Sequence, residues 1–302
     1  MSGDPRLAKA GRAMRLAAAA SVSLAVVLLV LKAIVWLRTN SVAMLGSLAD
    51  SGLDLLASLA MLLAVRVATT PADADHRFGH GKAEALAALG QTLLIGGSAV
   101  LLAVQAVRRL IAPAPVAAPE LGIGVSVLAM VATLALVAYQ SHVVRHTGSL
   151  AIRTDRMHYV SDLALNGAVI LALALEAWAR LTGADAVAGL GIAAYLAWGA
   201  VQSARHATDM LMDREWPEPE RAQVLALAQA VPGVRDVHDV RTRTSGLTRF
   251  VQLHIAVDGA ISVRDGHAIG DAVQAAVTAA FPHTDVLVHV DPVELVRRRA
   301  AP

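Results

Sequence analysis

Six long stretches of Ala, Leu, Val, Ile and Met, each broken by few charges, fill the first two thirds of the chain. They run over residues 16–37, 41–67, 86–111, 121–144, 159–181 and 186–205. A helix needs about 20 apolar residues to cross the hydrocarbon layer of a bilayer. The pattern therefore predicts six membrane spans. The link at 112–120, APAPVAAPE, is rich in proline, which ends the third helix.

After about residue 206 the pattern changes. DREWPEPERAQ is a charged linker, and PEPERAQVLALAQAV has the form of a helix with Pro219 near its first turn. VHDVRTRTSGLTRFVQLHIAV alternates on either side of Ser245-Gly246, as a β-hairpin does. SVRDGHAIGDAVQAAVTAAF is a second helix with Ser262 as N-cap, and DVLVHVD is a third strand. The order α-β-β-α-β suits a small open-faced α+β sandwich large enough for a modest core of its own. The expected division is an N-terminal segment 1–15, a membrane domain 16–207, a soluble domain 208–293 and a tail 294–302.

Composition agrees with the pattern. The 302 residues are 56% hydrophobic, too apolar for an ordinary soluble protein, and only 3% are aromatic, so aliphatic side chains supply the apolar surface. There is no cysteine, which excludes disulfides, thiolate metal sites and cysteine nucleophiles. The net charge of +2 comes without a dense basic stripe, so nucleic acid is not the expected partner. No cleavable signal pattern precedes the first span, which is expected to stay in place.

Basic residues are unevenly placed. Arg6, Lys9, Arg12, Arg15, Arg66, Arg77, Lys82, Arg145, Arg153 and Arg156 fall on one side of the six spans. Arg38, Arg108, Arg109 and Arg180 fall on the other. Positive charge marks the cytoplasmic side, so both termini are expected there.

Candidate chemistry lies inside the spans. SLADSGLDLL puts Asp50 and Asp54 four residues apart, on one helix face. Charge at bilayer depth costs several kcal/mol (~2.5–3.5 on insertion scales), and two neighbouring carboxylates repel. A cation, a base or protons must offset this. The fifth span offers the same spacing: in RTDRMHYVSDLALN, His158 and Asp162 are also four apart. One such pair could sit at a helix end and face water, as Asp155 is expected to do at the cytoplasmic mouth. Two pairs, one with an imidazole, argue for an ion. Three carboxylates and a histidine suit tetrahedral Zn²⁺ and would also accept Cd²⁺, Fe²⁺ or Co²⁺, with Mn²⁺ less favoured. The small residues Ser51, Gly52, Ser58, Ser161 and Gly167 allow the two helices to approach.

Two further groups stand outside the spans. Asp73, His76 and His80 in PADADHRFGHGKAEAL form either a metal loop or a merely solvated one. In the soluble domain, His289 and Asp291 project from the same face of the third strand, His254 is on the second strand, His238 opens the first and His267 lies early in the second helix. These are either metal ligands or separate surface histidines, as His206 and His283 are expected to be.

Other classes fit less well. An intramembrane metalloenzyme would keep an open position beside three ligands, whereas four protein ligands close the shell. No HExxH motif is present. Mg²⁺ prefers all-oxygen octahedral sites, which His158 argues against. No GxxxxGK[ST] loop is present for a nucleotide.

The segments SLADSGLD, PADADHRFGHGKAEALAAL, RTDRMHYVSDLALNGA, HDVRTRTSGLTRFVQLHI and HVDP, in this order, resemble the cation diffusion facilitator family, most closely its bacterial zinc and ferrous-iron efflux branch. The resemblance covers almost the whole chain. It implies six transmembrane helices in the bacterial inner membrane, a C-terminal cytoplasmic ferredoxin-like (αββαβ) domain and a homodimer. It implies a secondary antiporter, not an enzyme, exporting Zn²⁺ in exchange for protons for metal homeostasis and detoxification. Asp50, Asp54, His158 and Asp162 match the transport site. Asp73, His76 and His80 match a cytoplasmic loop site. His238, His254, His267, His289 and Asp291 match a binuclear site of the soluble domain. Lys82 and Asp213 match a salt bridge at the hinge between membrane and cytoplasm. Protons would compete with metal for the transport ligands, chiefly at His158, whose side-chain type has a reference pKa of about 6.5.

Overall fold

A computed structural model of the chain describes residues 5–39, 42–111, 120–179 and 184–300. The proline-rich link expected at 112–120 falls almost wholly outside the described residues. The chain divides into two units, Met1–Thr208 and Asp209–Pro302.

The first unit is helical. Its elements are α1 (Pro5–Thr39), α2 (Val42–Ala68), α3 (Lys82–Ile111), α4 (Glu120–Thr147), α5 (Leu150–Ala179) and α6 (Ala184–Leu211), the last ending just inside the second unit. Each predicted span has its helix. Most of the helices run beyond the apolar window, because Ala, Leu, Arg and Lys outside it are also good helix formers. The first begins at Pro5, not near residue 16.

Among the described residues, four helices contain a window long and apolar enough to cross a membrane: α1, α2, α3 and α4. The described part of α5 carries Arg153, Asp155, Arg156, His158 and Asp162, which lower its hydropathy. The chain is thus a polytopic helical membrane protein with four spans assigned on composition.

Side-chain placement supports this. Leucines such as Leu93 (74% exposed) and Leu101 face outward, while Ser21, Gln91, Gln140 and Asp155 are buried. Polar groups gather inside because lipid offers them no hydrogen bonds. Helices meet through small residues: Ala17, Ala18, Ser21 and Ala25 are buried on α1, and Ser51 and Ser58 on α2.

The second unit contains α7 (Glu218–Gln229), β1 (Asp236–Ser245), β2 (Thr248–Val257), α8 (Val263–Ala280), β3 (Thr284–Pro292) and α9 (Val293–Ala300). The sheet order is β1-β2-β3, with β1 and β2 antiparallel and β2 and β3 parallel. The α8 crossover makes the parallel pairing possible. Ser262 caps α8, its Oγ accepting from the Asp265 N–H at 3.2 Å. Gly246 takes φ +58° in the hairpin turn, a conformation glycine adopts at little cost. Val224, Val251, Leu253, Ile255, Val273 and Val277 form a core that Trp216 closes from the N-terminal side. The indole N–H of Trp216 donates to the Arg243 carbonyl at 3.1 Å.

Between His238 and Arg241 the register slips by one residue. This β-bulge, absent from the sequence expectation, places Asp239 at φ +47°.

Candidate metal centres

α2 and α5 face each other with their acids between them. His158 Nε2 lies 3.1 Å from Asp54 Oδ1 and 3.9 Å from Asp162 Oδ2. One ligand atom from each of the three residues lies within 4.8 Å of the others. A tetrahedral ion with bonds of about 2.0–2.2 Å holds its ligand atoms roughly 3.3–3.6 Å apart, so this spacing brackets that of a zinc-like shell. His158 is buried, and Asp54 and Asp162 are half-buried. Ser58 on α2 and Ser161 on α5 are buried, and Ser58 Oγ and Tyr159 Oη are hydrogen-bonded across the two helices at 3.0 Å. Asp50 is one turn before Asp54 on the helical backbone of α2; its side chain lies outside the described residues.

Asp155 corrects the expectation. It does not face water at a helix mouth but is fully buried. Its Oδ2 accepts from Ser21 Oγ at 2.6 Å and Gln140 Nε2 at 2.7 Å, and its Oδ1 from Gln91 Nε2 at 3.2 Å. One carboxylate thus ties α5 to α1, α4 and α3, one turn from His158. Tyr159 Oη donates to the Ser21 carbonyl at 3.1 Å and extends the network. A second carboxylate escaped the sequence reading. Glu84, in the first turn of α3, is buried and accepts from Ser149 Oγ and from the Ala151 N–H. It caps the N-terminus of α5 from a neighbouring helix, where unpaired N–H groups favour a negative charge. Polar residues inside apolar stretches, such as Gln91 and Gln140, were the available signal for the first of these.

The loop between α2 and α3 gathers Asp73, His76 and His80. Asp73 Oδ2 lies 3.3 Å from His80 Nε2, and Oδ1 lies 3.4 Å from His76 Nδ1. Asp73 also shapes the loop, accepting from the N–H groups of His76 (2.7 Å) and Asp75 (3.0 Å). The His76 N–H, more than any other group, holds the Asp73 carboxyl below its ordinary value. Desolvation opposes this, and the His80 imidazole, the Asp75 N–H and the His76 imidazole act in the same direction as the His76 N–H. Gly79 turns the chain toward α3 at φ +78°. A carboxylate and two imidazoles are a suitable donor set for a borderline divalent ion.

In the second unit the sheet register makes a row. His238 on β1 opposes His254 on β2, which opposes His289 on β3. Asp291, two residues beyond His289, reaches all three: 2.9 Å to His254 Nδ1, 3.5 Å to His238 Nε2 and 3.3 Å to His289 Nε2. Partial burial raises the Asp291 carboxyl, but the hydrogen bond with His254 and the charges of His289, His254 and His238 bring it below its ordinary value. His238, His254 and Asp291 present ligand atoms within 4.8 Å of one another.

His267 does not join them: it is exposed on α8 beside Asp271, at 3.5 Å. Two acids missed in the sequence do approach. Asp236 Oδ2 lies 3.5 Å from His238 Nδ1, and Asp239 Oδ2 lies 3.8 Å from His254 Nε2. The bulge is what brings Asp239 there.

Lys82 opens α3, and Asp213 pairs with Arg243 at 3.5 Å within its own unit. His206 is exposed, and neither it nor His283 belongs to a metal-type group among the described residues.

Comparison with known proteins covers both units. Residues 18–212 match the cation efflux transmembrane domain, and residues 216–293 match the cytoplasmic domain of cation efflux proteins. The cation-efflux pump FieF of Pectobacterium atrosepticum is 44% identical over 285 residues, covering 94% of this chain and 95% of the relative. FieF of Cronobacter sakazakii is 45% identical over 288 residues, covering 95% and 96%. Among solved structures, MamM-CTD is 32% identical and covers 25% of this chain and 96% of its own, with a TM-score of 0.24. Carboxylates and a histidine face each other inside the helical unit, a histidine row crosses the sheet, and both family domains match in order: the chain belongs to the cation efflux, or cation diffusion facilitator, family.

Proposed function

We propose that the chain carries Zn²⁺ out of the cytoplasm in exchange for protons, with Asp50, Asp54, His158 and Asp162 as the carrying ligands. That it is a divalent-cation efflux transporter of a membrane, and not an enzyme, follows from its family and relatives. The observation that carries the finer reading is His158 Nε2 within 3.1–3.9 Å of carboxylates on two helices. A metal ion needs neutral imidazole and ionised carboxylates, so loading releases protons and protonation expels the ion. One set of ligands then couples both fluxes without a nucleotide. A nitrogen among oxygens favours Zn²⁺, with Cd²⁺ and Fe²⁺ as further substrates.

All six long helices are proposed to span the bacterial inner membrane. The excess of Arg and Lys supports cytoplasmic termini. Residues 16–207 would form the transport domain and 208–293 the cytoplasmic ferredoxin-like domain, flanked by the segments 1–15 and 294–302. The protein acts as a homodimer, the cytoplasmic domains pairing and holding further metal at His238, His254, His289 and Asp291. His267, which stands apart from this group, would join only if α8 or a second copy supplied it. Asp73, His76 and His80 form the loop site, and Lys82 with Asp213 the proposed hinge pair.

Proton coupling is tested in liposomes holding a zinc-sensitive dye. Zinc uptake that accelerates when the interior is made acid, and an opposing proton flux seen with a pH dye, are expected. Zinc uptake indifferent to the gradient would refute the antiport. Repeating the assay with Cd²⁺, Fe²⁺ and Mn²⁺ ranks the substrates.

A further inference from the structure

We propose that Lys32 is the fixed counter-charge of the transport cluster. The inference rests on reading Asp50, Asp54, His158 and Asp162 as that cluster. Lys32 lies inside α1, in the apolar run VLLVLKAIVW, and is half-buried. Lysines near the ends of spans usually turn their ammonium to the membrane surface. This one turns inward: Lys32 Nζ donates to Ser51 Oγ on α2 at 2.7 Å, and Ser51 is buried.

Ser51 sits on the acid-bearing face of α2. With 3.6 residues per turn, Ser51, Asp54 and Ser58 fall within an arc of about 60°, and the Asp50 backbone position lies about 100° from Ser51. Ser51 and Asp54 are about 4.5 Å apart along the axis. The ammonium is therefore delivered within about one helical turn of Asp54, whose Oδ1 lies 3.1 Å from His158 Nε2. The Ser51 hydroxyl orients the ammonium along this face of α2. The acids of that face have the opposite sign.

Formal charge gives the arrangement a purpose. Three carboxylates around one divalent ion leave the cluster one unit negative. Lys32 brings the loaded cluster to neutrality, which lowers the cost of holding it in a medium of low dielectric. It also weakens the grip on a dication, because two positive charges repel across the cluster. A site for transport must bind and then release, and a site with one more negative charge would hold its ion longer. Lys32 thus sets the affinity of the cluster without touching the ion.

The test is zinc titration, by competition with a coloured chelator, of the full-length protein in detergent. The parent carries His80→Ala, His254→Ala and Asp291→Ala, so that the loop and C-terminal clusters are disabled. In this parent, Lys32→Gln is expected to bind zinc about tenfold more tightly. Lys32→Arg, which keeps the charge, is expected to stay within about twofold of the parent. Unchanged or weaker binding in Lys32→Gln, with binding lost in Asp54→Ala, overturns the counter-charge and leaves the cluster standing. Retained binding in Asp54→Ala means that the cluster itself has been misassigned, and the role of Lys32 falls with it. Should Lys32→Gln not fold, Ser51→Ala frees the ammonium and must tighten binding by about two- to threefold; no change in that variant overturns the proposal equally.

Discussion

His158 Nε2 and Asp54 Oδ1 lie 3.1 Å apart although they stand on different helices, α5 and α2. An ion held between them is held by the packing of two helices and is released when they part. In the proposed ligand set the imidazole is the one nitrogen donor, and so the group on which metal preference would turn. His158→Asp makes the set all-oxygen and harder. It is expected to lower the ratio of Zn²⁺ to Mn²⁺ transport by about tenfold or more, measured as initial rates in liposomes. An unchanged ratio would remove His158 from the shell.

Asp155 is a structural node. Asp155→Ala takes the buried acceptor from Gln91 and from one amide hydrogen of Gln140, while Ser21 Oγ keeps the Ala17 carbonyl at 3.2 Å and Gln140 Nε2 keeps Ser21 Oγ at 3.0 Å. The loss is expected to cost about 2–4 kcal/mol. Thermal unfolding in detergent should report a fall of several degrees, about half as large for Asp155→Asn, which keeps the shape and one acceptor. A melting point equal to wild type in Asp155→Ala would mean that the network contributes nothing.

Glu84 gives a smaller effect of the same kind. Glu84→Ala leaves the Ala151 N–H at the start of α5 without its acceptor, while Ser149 Oγ still accepts from the Ile152 N–H, so the expected loss is about 1–2 kcal/mol. Because α5 carries His158 and Asp162, zinc transport in this variant should fall with KM more affected than stability alone explains. Glu84→Gln, which keeps an acceptor, should recover most of it.

Some of this was legible in the sequence, and the reasons are local ones. The apolar stretches mark the helices because lipid demands one property over about 20 residues. The pairs Asp50/Asp54 and His158/Asp162 are visible because helical neighbours are four residues apart. Asp155 was misjudged because Ser21 is 134 residues away and Gln91 is 64 away. Glu84 was missed for the same reason: Ser149 and Ala151 are 65 and 67 residues distant. The alternation of β3 puts His289 and Asp291 on one face, but only the register aligns His238, His254 and His289 in one row. Asp239 depends on a bulge with no local signature, and the exposed position of His267 on α8 could not be read from its spacing.

The acid dependence of the C-terminal unit follows from Asp291. A carboxyl held below its ordinary value of 3.8 contributes stability that is complete above that value and is lost as pH falls through the lower, folded value. Metal-free residues 209–302, which carry their own core, should therefore be more stable than their Asp291→Asn variant at pH 6. The difference should shrink below pH about 4 in urea unfolding. A difference that grew on acidification would have the wrong sign for this pairing.

Asp50, Asp54, His158 and Asp162 are the proposed carriers of the ion, and Asp54 is the one whose loss tests them most directly. Initial zinc flux into dye-loaded liposomes, with the interior acid, compares wild type and Asp54→Ala at equal incorporation. The account predicts flux in the wild type and none above empty liposomes in the variant, while both elute and melt as folded protein. Flux in Asp54→Ala equal to wild type would place the ion path elsewhere and leave the acids of α2 as a polar turn of the helix.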